Sequence, residues 1–349
     1  MEVKIGLSGF GNVGRNFIGL LLEKKKYLKD KYKLDLKVVT VLVSDGGINN
    51  PQGIPLEKFA AIKTAFERKN MLGFDDRLTG EEAIKASNAD VWVEATPTNI
   101  KTGQPGLTYF HTAFDRGMHV VTLSKGPLVC AFDQVMEHAR KAGVQIKYSG
   151  ATAAALPTID VALNSLAGTN ILSIQGILNG TSNFILTAME KASLSFAEAL
   201  AEAKAQGIAE PDPSLDVEGW DTASKMIIIA NSIYDTDFKI DQVKLTGITK
   251  ITPADLQEAK NRGGTIKLLG IAEPIGDTFR LEVAPTFLRA DHPLASVNGT
   301  TKGIYFCTDT MGPLTVIGGY SNPKGAAAAA LKDIISIFAP AAKTFSTSF

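Results

Sequence analysis

The period of hydrophobic positions changes along the chain, and each change marks an element. Val3, Ile5 and Leu7 alternate with polar or small residues, the period of a strand. Phe17, Ile18, Leu21 and Leu22 then recur with helical spacing. "LKVVTVLVSD" at 36–45 reads as a second strand and "ADVWVEATPTN" at 89–99 as a third. A helix is expected around "YFHTAFDRG". A further strand holds Val120, Val121 and Leu123, and "VQIKYSG" closes the series. Strands alternating with helices predict a Rossmann-type, doubly wound sheet over residues 1–150.

After Leu156 the pattern differs. "TNILSIQGILNGTSNFILTAMEK" gives an alternating strand, a polar link and a helix. "SFAEALAEAKAQG" is an amphipathic helix ending at Gly207. "KLLGIAEP", "FRLEVAPTFL" and "KGIYFCTDTMGPLTVIGG" are strand-like with turn punctuation. They predict a mixed sheet in an α+β domain rather than a second Rossmann unit. The small residues of "ATAAALPTIDVALNSL" suit a helix packed closely on a neighbour or near a ligand.

The first strand runs into "GFGNVG", in which Gly9, Gly11 and Gly14 form GxGxxG around Phe10, Asn12 and Val13. Strand, glycine turn and helix together are the context of a dinucleotide site. Gly9 allows the tight turn, Gly11 lets backbone approach a pyrophosphate, and Gly14 allows close helix–sheet packing. The helix N-terminus offers free N–H groups to phosphates. At the end of the second strand, Asp45 is the candidate acceptor for the ribose hydroxyls of NAD. Ser44 before it suits a 2′-phosphate if a lysine comes from elsewhere, so both NADP and NAD stay open. Thr96, Pro97 and Thr98 follow the third strand, where a doubly wound sheet holds its ligand. Lys125 stands at the end of the next strand, beside Gly126 and Pro127, and is a candidate for the same crevice.

Composition narrows the partners. Lys plus Arg equals Asp plus Glu at 36 each among 349 residues, so no basic excess points to nucleic acid. No apolar run approaches the roughly 20 residues of a membrane span. Two cysteines, Cys130 and Cys307, and no secretory signal at the N-terminus suggest a reduced, cytoplasmic protein. The four histidines show no metal-binding spacing, so no metal is expected.

One stretch resists a bland reading. "IAEPDPSLDVEGWDTASK", residues 208–225, holds five carboxylates and runs straight into the apolar "MIIIA". A charge run is usually a solvated surface. Here Asp221 and Lys225 are four apart, and on a helix begun by Asp221 they would share a face and pair. The link "NGTSN" places N–H groups and hydroxyls at a helix start, a seat for a carboxylate.

The blocks "GFGNVG", "VEATPTN", "VVTLSKGPL", "GILNGTSNFIL", "GIAEPDPSLDVEGWDTASK" and "GPLTVIGG…AAAAALKDI" together resemble the homoserine dehydrogenase family over essentially the whole chain. The first block is generic; the fourth and fifth are highly specific. The resemblance implies reversible NAD(P)-dependent hydride transfer between L-homoserine and L-aspartate 4-semialdehyde. It implies a nucleotide domain (1–150), a catalytic domain that forms a homodimer (151–310), and a segment (311–349) that packs back on the nucleotide domain. By the same resemblance Gly180 and Thr181 lie by the substrate, and Glu210 holds its amine. Asp216 and Asp221 fall on the later acids of the block. Lys125 and Lys225 fall on the functional lysines, expected at the reacting oxygen. Lysine is a poor base at its ordinary pKa of roughly 10.4; burial or a second cation would lower that value, nearby carboxylates would oppose the change, and a water relay stays open. Which lysine dominates is open.

The chain departs from the family pattern. Ser149 replaces a glutamate that helps form a monovalent-cation site. Ile208 replaces a tyrosine near the substrate, and Ala326 a threonine in the C-terminal glycine-rich block. Neither an ACT-like tail nor an aspartate kinase is expected on this chain. Two other readings compete. In one, Cys130 or Cys307 is the nucleophile of a semialdehyde dehydrogenase, with Cys130 near a helix N-terminus. In the other, the protein is a non-catalytic NAD(P)-binding regulator.

Overall fold

The computed structural model describes residues 1–62, 67, 69–71 and 73–339. It divides into two compact units. Unit 1 is Met1–Ala151 with the segment that begins at Asn322; unit 2 is Thr152–Ser321.

Unit 1 is built on a seven-stranded sheet. Its strands are β1 (Glu2–Ser8), β2 (Asp35–Val43), β3 (Gly46–Asn49), β4 (Phe74–Asp75), β5 (Val91–Glu94), β6 (His119–Thr122) and β7 (Ile146–Lys147), in the order β4-β3-β2-β1-β5-β6-β7. The five from β2 to β7 in that order pair in parallel. Helices α1 (Asn12–Tyr27), α2 (Gly80–Ala86), α3 (Gly106–Asp115) and α4 (Gly126–Ala142) lie between strands in sequence, the Rossmann-type arrangement. The four residues of β5 are all buried, as parallel central strands require.

The hairpin β2–β3 departs from the expected pattern. Ser44 and Asp45 form its two-residue turn, and β3 runs antiparallel to β2. The C-terminal helix Pro323–Phe338 packs against α1. Its small residues let it approach closely, so Ala327, Ala330, Leu331, Ile334 and Ile337 join the core beneath β1.

Unit 2 carries a six-stranded mixed sheet in the order β13-β12-β8-β10-β11-β9. Its members are β8 (Ile171–Ile177), β9 (Lys244–Leu245), β10 (Gly264–Ile275), β11 (Thr278–Arg289), β12 (Gly303–Thr308) and β13 (Leu314–Ile317). Helices α5 (Gly180–Ala192), α6 (Phe196–Ala205), α7 (Trp220–Tyr234) and α8 (Pro253–Asn261) complete it. A capping box between Ser195 and Glu198 starts α6 where the polarity pattern predicts it. The α-helical and strand segments are the expected α+β combination.

Two local expectations need correction. Residues 311–321 group with unit 2, not with the C-terminal segment, because β13 pairs with β12 from Gly303↔Ile317 to Phe306↔Leu314. The small-residue run after residue 149 forms one helical turn, Ser149–Ala153, and then breaks; Ala154 has a positive φ of 52° and Pro157 follows. No helix among the described residues is long and apolar enough to cross a membrane.

Candidate active site

In unit 1 the glycine turn opens on a cavity of about 680 Å3. Its walls include Gly9, Phe10, Gly11, Asn12 and Val13 from the turn, Ser44 from the hairpin, and Thr96, Pro97 and Thr98 from the end of β5. Gly9 has φ +91°, and a Cβ there would stand 2.4 Å from the Ala95 carbonyl oxygen. A Cβ on Gly14 would meet the Gly9 oxygen at 2.2 Å. At Gly11 nothing lies within 4 Å, so the open side faces the space a ligand would use. Gly11 is the N-cap of α1 without a side-chain cap bond, and the first turn has no acid. The N-terminal N–H groups of α1 are therefore available to an anion. These residues fit a dinucleotide pyrophosphate.

Asp45 and its surroundings are more specific than the sequence suggested. Its carboxylate is 3.2 Å from Lys69 Nζ, while Ser44 lines the cavity. The lysine "from elsewhere" is thus beside the acid. Lys125 is the N-cap of α4, and its N–H donates to Thr98 Oγ1 at 3.3 Å. That bond ties the loop after β6 to the loop after β5.

Glu94, at the end of β5, escaped notice as a functional residue. It is fully buried. Its carboxylate accepts from the Thr96 N–H at 2.8 Å, from the Thr96 hydroxyl and from Thr122 Oγ1 at 3.0 Å. Burial raises its pKa, and these bonds oppose the rise. Glu94 shapes the Thr96–Thr98 wall from beneath.

In unit 2 the acid-rich stretch and the "NGTSN" link meet. Asn179 caps α5: its Oδ1 accepts from the Ser182 N–H at 2.8 Å. Its Nδ2 donates to Asp216 Oδ1 at 2.6 Å and to Asp221 Oδ2 at 2.9 Å. Asp221 Oδ2 also lies 2.5 Å from Lys225 Nζ, which donates to the Leu178 carbonyl at 2.9 Å. The helix has begun by Asp221, so the i,i+4 pair forms as its spacing requires. Both side chains are about 15% exposed (15% for Lys225, 14% for Asp221), so solvent screens the pair only partly. Burial raises the Asp216 pKa, with Asp221 adding to the rise and Asn179 opposing it.

Thr181 and Gly180 begin α5, one residue beyond the cap. Thr181 Oγ1 donates to the Ile208 carbonyl at 3.2 Å, so Ile208 contributes through its backbone. A Cβ on Gly180 would stand 2.9 Å from the Thr300 oxygen, which explains glycine there. The first-turn N–H groups of Gly180 and Thr181 have no intrahelical carbonyl to meet. Glu210 is exposed and is not gathered into the network. Asp216 sits in a short helix, Ser214–Val217, rather than in an open connection. Asp212 and Glu218 are local: they bond the Ser214 N–H at 3.1 Å and Trp220 Nε1 at 3.1 Å.

The comparisons with known proteins divide the chain near residue 150 as the structure does, and the match to the later part runs on into the C-terminal helix of unit 1. A family model described as homoserine dehydrogenase matches residues 157–335, and one for the homoserine dehydrogenase NAD binding domain matches 9–149. The chain belongs to the homoserine dehydrogenase family. It is 42% identical over 331 residues to the homoserine dehydrogenase of Methanocaldococcus jannaschii, covering 95% of this chain and 97% of that one. An NAD(+)-dependent homoserine dehydrogenase of Pseudomonas canavaninivorans is 37% identical over 340 residues, 96% of each chain. A provisionally assigned homoserine dehydrogenase structure from Archaeoglobus fulgidus superposes with a TM-score of 0.85 at 34% identity, covering 97% and 99%.

Membership in the homoserine dehydrogenase family sets aside the two competing readings. The structure adds a reason against a cysteine nucleophile. Cys130 does precede a helical start, because α4 is broken at Ala131 (φ −146°, ψ 45°), but it is half-buried and its thiol donates to the Ile100 carbonyl at 3.3 Å, which favours the thiol over the thiolate. Cys307 lies on β12. Among the described residues no group of three or more His, Cys, Asp and Glu could hold a metal ion. Ser149, where the homoserine dehydrogenase pattern has glutamate, instead bonds the buried Asp333. Its N–H donates to Oδ2 at 3.0 Å and its hydroxyl to Oδ1 at 2.8 Å, while Lys332 Nζ donates to Ser149 Oγ at 2.7 Å. Ala326 lies in the first turns of the C-terminal helix.

Proposed function

We propose a residue assignment for the reaction of this family, reversible NAD(P)-dependent hydride transfer between L-homoserine and L-aspartate 4-semialdehyde. The observation that carries it is the Asp216–Asn179–Asp221–Lys225 network beside the open N-terminus of α5.

The substrate is a zwitterion with a terminal alcohol. Its carboxylate is assigned to the first-turn N–H groups of Gly180 and Thr181 and to the Thr181 hydroxyl. Its ammonium is assigned to Glu210 and Asp216, bonds that strengthen when water is excluded. Lys225 and Lys125 serve the reacting oxygen. The side chain that takes the alcohol proton in oxidation returns it in reduction. Asp221 orients Lys225 from one turn away. The nicotinamide, when bound, supplies hydride chemistry. The turn Gly9–Gly14 and the wall Thr96–Thr98 hold the dinucleotide.

The finer cofactor assignment is NAD. Asp45 lies in the turn directly after β2, where a carboxylate accepts ribose hydroxyls and repels a 2′-phosphate. Lys69 moderates that repulsion at 3.2 Å, so NADP is used less well rather than refused. The relative from Pseudomonas canavaninivorans, named NAD(+)-dependent, supports this choice. A homodimer formed through unit 2 completes the reading. Exposed Leu172 on β8 and Ile317 on β13 support it as apolar groups without cover.

One assay tests the assignment: homoserine-dependent reduction of NAD and NADP, with threonine as the control hydroxy amino acid. Turnover with homoserine, absent with threonine and faster with NAD at equal concentration, is expected. No turnover with either dinucleotide overturns the function, and faster turnover with NADP overturns the cofactor choice.

A further inference from the structure

Residues 297–302 of unit 2 close over the start of α5. Asn183 Nδ2 donates to the carbonyls of Val297 at 3.1 Å and Thr301 at 3.0 Å. The Gly299 N–H donates to Thr187 Oγ1 at 3.0 Å, and the Thr300 carbonyl packs against Gly180. Lys267 on β10, fully buried, donates to Asn298 Oδ1 at 2.8 Å. The segment is therefore pinned from α5 and from the sheet, against the residues that begin the substrate seat. It ends at Lys302.

Lys302 is 2% exposed, and its ammonium donates to the Ala153 carbonyl. No ion-pair partner reaches it among the described residues. A buried amine with no counter-ion loses its preference for the charged form. Its pKa is pushed down to about 7, first by burial and then by the charge of Lys225, with Asp221 acting in the opposite sense. Gly303, the next residue, pairs with Ile177 on antiparallel β8, so the chain at Lys302 lies by Leu178, whose carbonyl accepts from Lys225 Nζ. Lys225 and Asp221, both on α7, are the charges that act on Lys302. Asp216 acts on the same Asp221–Lys225 pair from the preceding short helix.

We propose that Lys302 is a positioning residue of the dehydrogenase site, whose charge state sets how firmly Asp221 holds Lys225. The inference rests on the assignment of Asp221 and Lys225 to proton transfer. As a cation, Lys302 competes for Asp221 and repels Lys225. As a neutral amine, it leaves the pair intact.

The test uses the full chain and two variants. Lys302→Met keeps the length and removes the charge; Lys302→Arg keeps a charge that cannot be titrated away in this range. The measurement is kcat and kcat/KM for homoserine oxidation between pH 6 and 9.5. The native enzyme is expected to show an ionisation near neutrality, with activity several-fold higher on its alkaline side. K302M should lose that ionisation and keep the others, and K302R should stay at the acid-side level. If K302M keeps the ionisation, or loses the same factor at every pH, the proposal is overturned. Should K302R fail to fold, as a thermal melt would reveal, the native and K302M profiles decide alone. Native protein with no homoserine turnover is a different failure, that of the functional assignment.

Discussion

Lys225 Nζ lies 2.5 Å from Asp221 Oδ2, one helical turn along α7, and the same oxygen accepts from Asn179 Nδ2 at 2.9 Å. One carboxylate oxygen thus holds both the candidate acid–base lysine and the cap of α5. The lysine has a second acceptor in the Leu178 carbonyl, so its ammonium is fixed from two elements.

This geometry predicts unequal costs. Lys225→Ala removes the proton-transfer group and should lower kcat for homoserine oxidation by about 10²–10⁴-fold. Asp221→Asn keeps the shape and loses only the orienting charge, so its loss in kcat should be smaller. Steady-state kinetics with saturating dinucleotide measure both. If K225A and K125A each turn over at near-native rates, the lysines do not carry the chemistry.

Much of this network was legible, because its parts follow local rules. Asp221 and Lys225 pair through helix spacing, and Gly9 to Gly14 announce themselves by context. Asn179 was visible only as the first residue of the polar "NGTSN" link; that its amide bridges two acids 37 and 42 residues away depends on tertiary packing. Lys302 gave no signal, since a lysine in "GTTKG" reads as a polar turn until the fold buries it. Asp333 is similar, an acid on the buried side of an alanine-rich helix, held there by Ser149. The hairpin turn at Ser44–Asp45 was hidden because β3 is short and glycine-rich.

The glycine turn separates folding from binding. Gly9→Ala adds a Cβ at 2.4 Å from the Ala95 oxygen and at positive φ, so it should lower Tm and weaken dinucleotide binding together. Gly11→Ala meets nothing within 4 Å in the protein. It should leave Tm nearly unchanged while raising the dinucleotide Kd about tenfold or more, through the approach of the pyrophosphate. Thermal melts and fluorescence titration distinguish them. Equal Tm losses for the two variants would show that Gly11 is structural.

The Asp45–Lys69 pair predicts opposite changes in cofactor use. Asp45→Ser removes the ribose acceptor and frees Lys69 for a 2′-phosphate, so KM for NAD should rise and KM for NADP fall. Lys69→Ala leaves Asp45 without its neighbour and should raise KM for NADP more than for NAD. The ratio of kcat/KM for the two dinucleotides is the measurement, and an unchanged ratio in both variants would place the determinant elsewhere.

The amine of Lys302 also has a consequence for stability. Its folded pKa, about 7, lies below the roughly 10.4 of a free lysine, so between those values the unfolded chain binds the extra proton. Unfolding free energy attributable to this group therefore rises as pH increases from about 7 to about 10, by at most about 1.4 kcal/mol per pH unit. Below the lower value the native protein carries a buried cation and the cost is fully present. K302M has no such group. Urea unfolding of native and K302M protein at pH 6.5, 8 and 9.5 should show the native protein gaining on the variant at each step, the shared titration of Lys267 and the carboxylates cancelling in the difference. A constant difference across the three pH values would mean that Lys302 keeps an ordinary proton affinity in the fold, and with it the repulsion of Lys225 at every pH where the enzyme works.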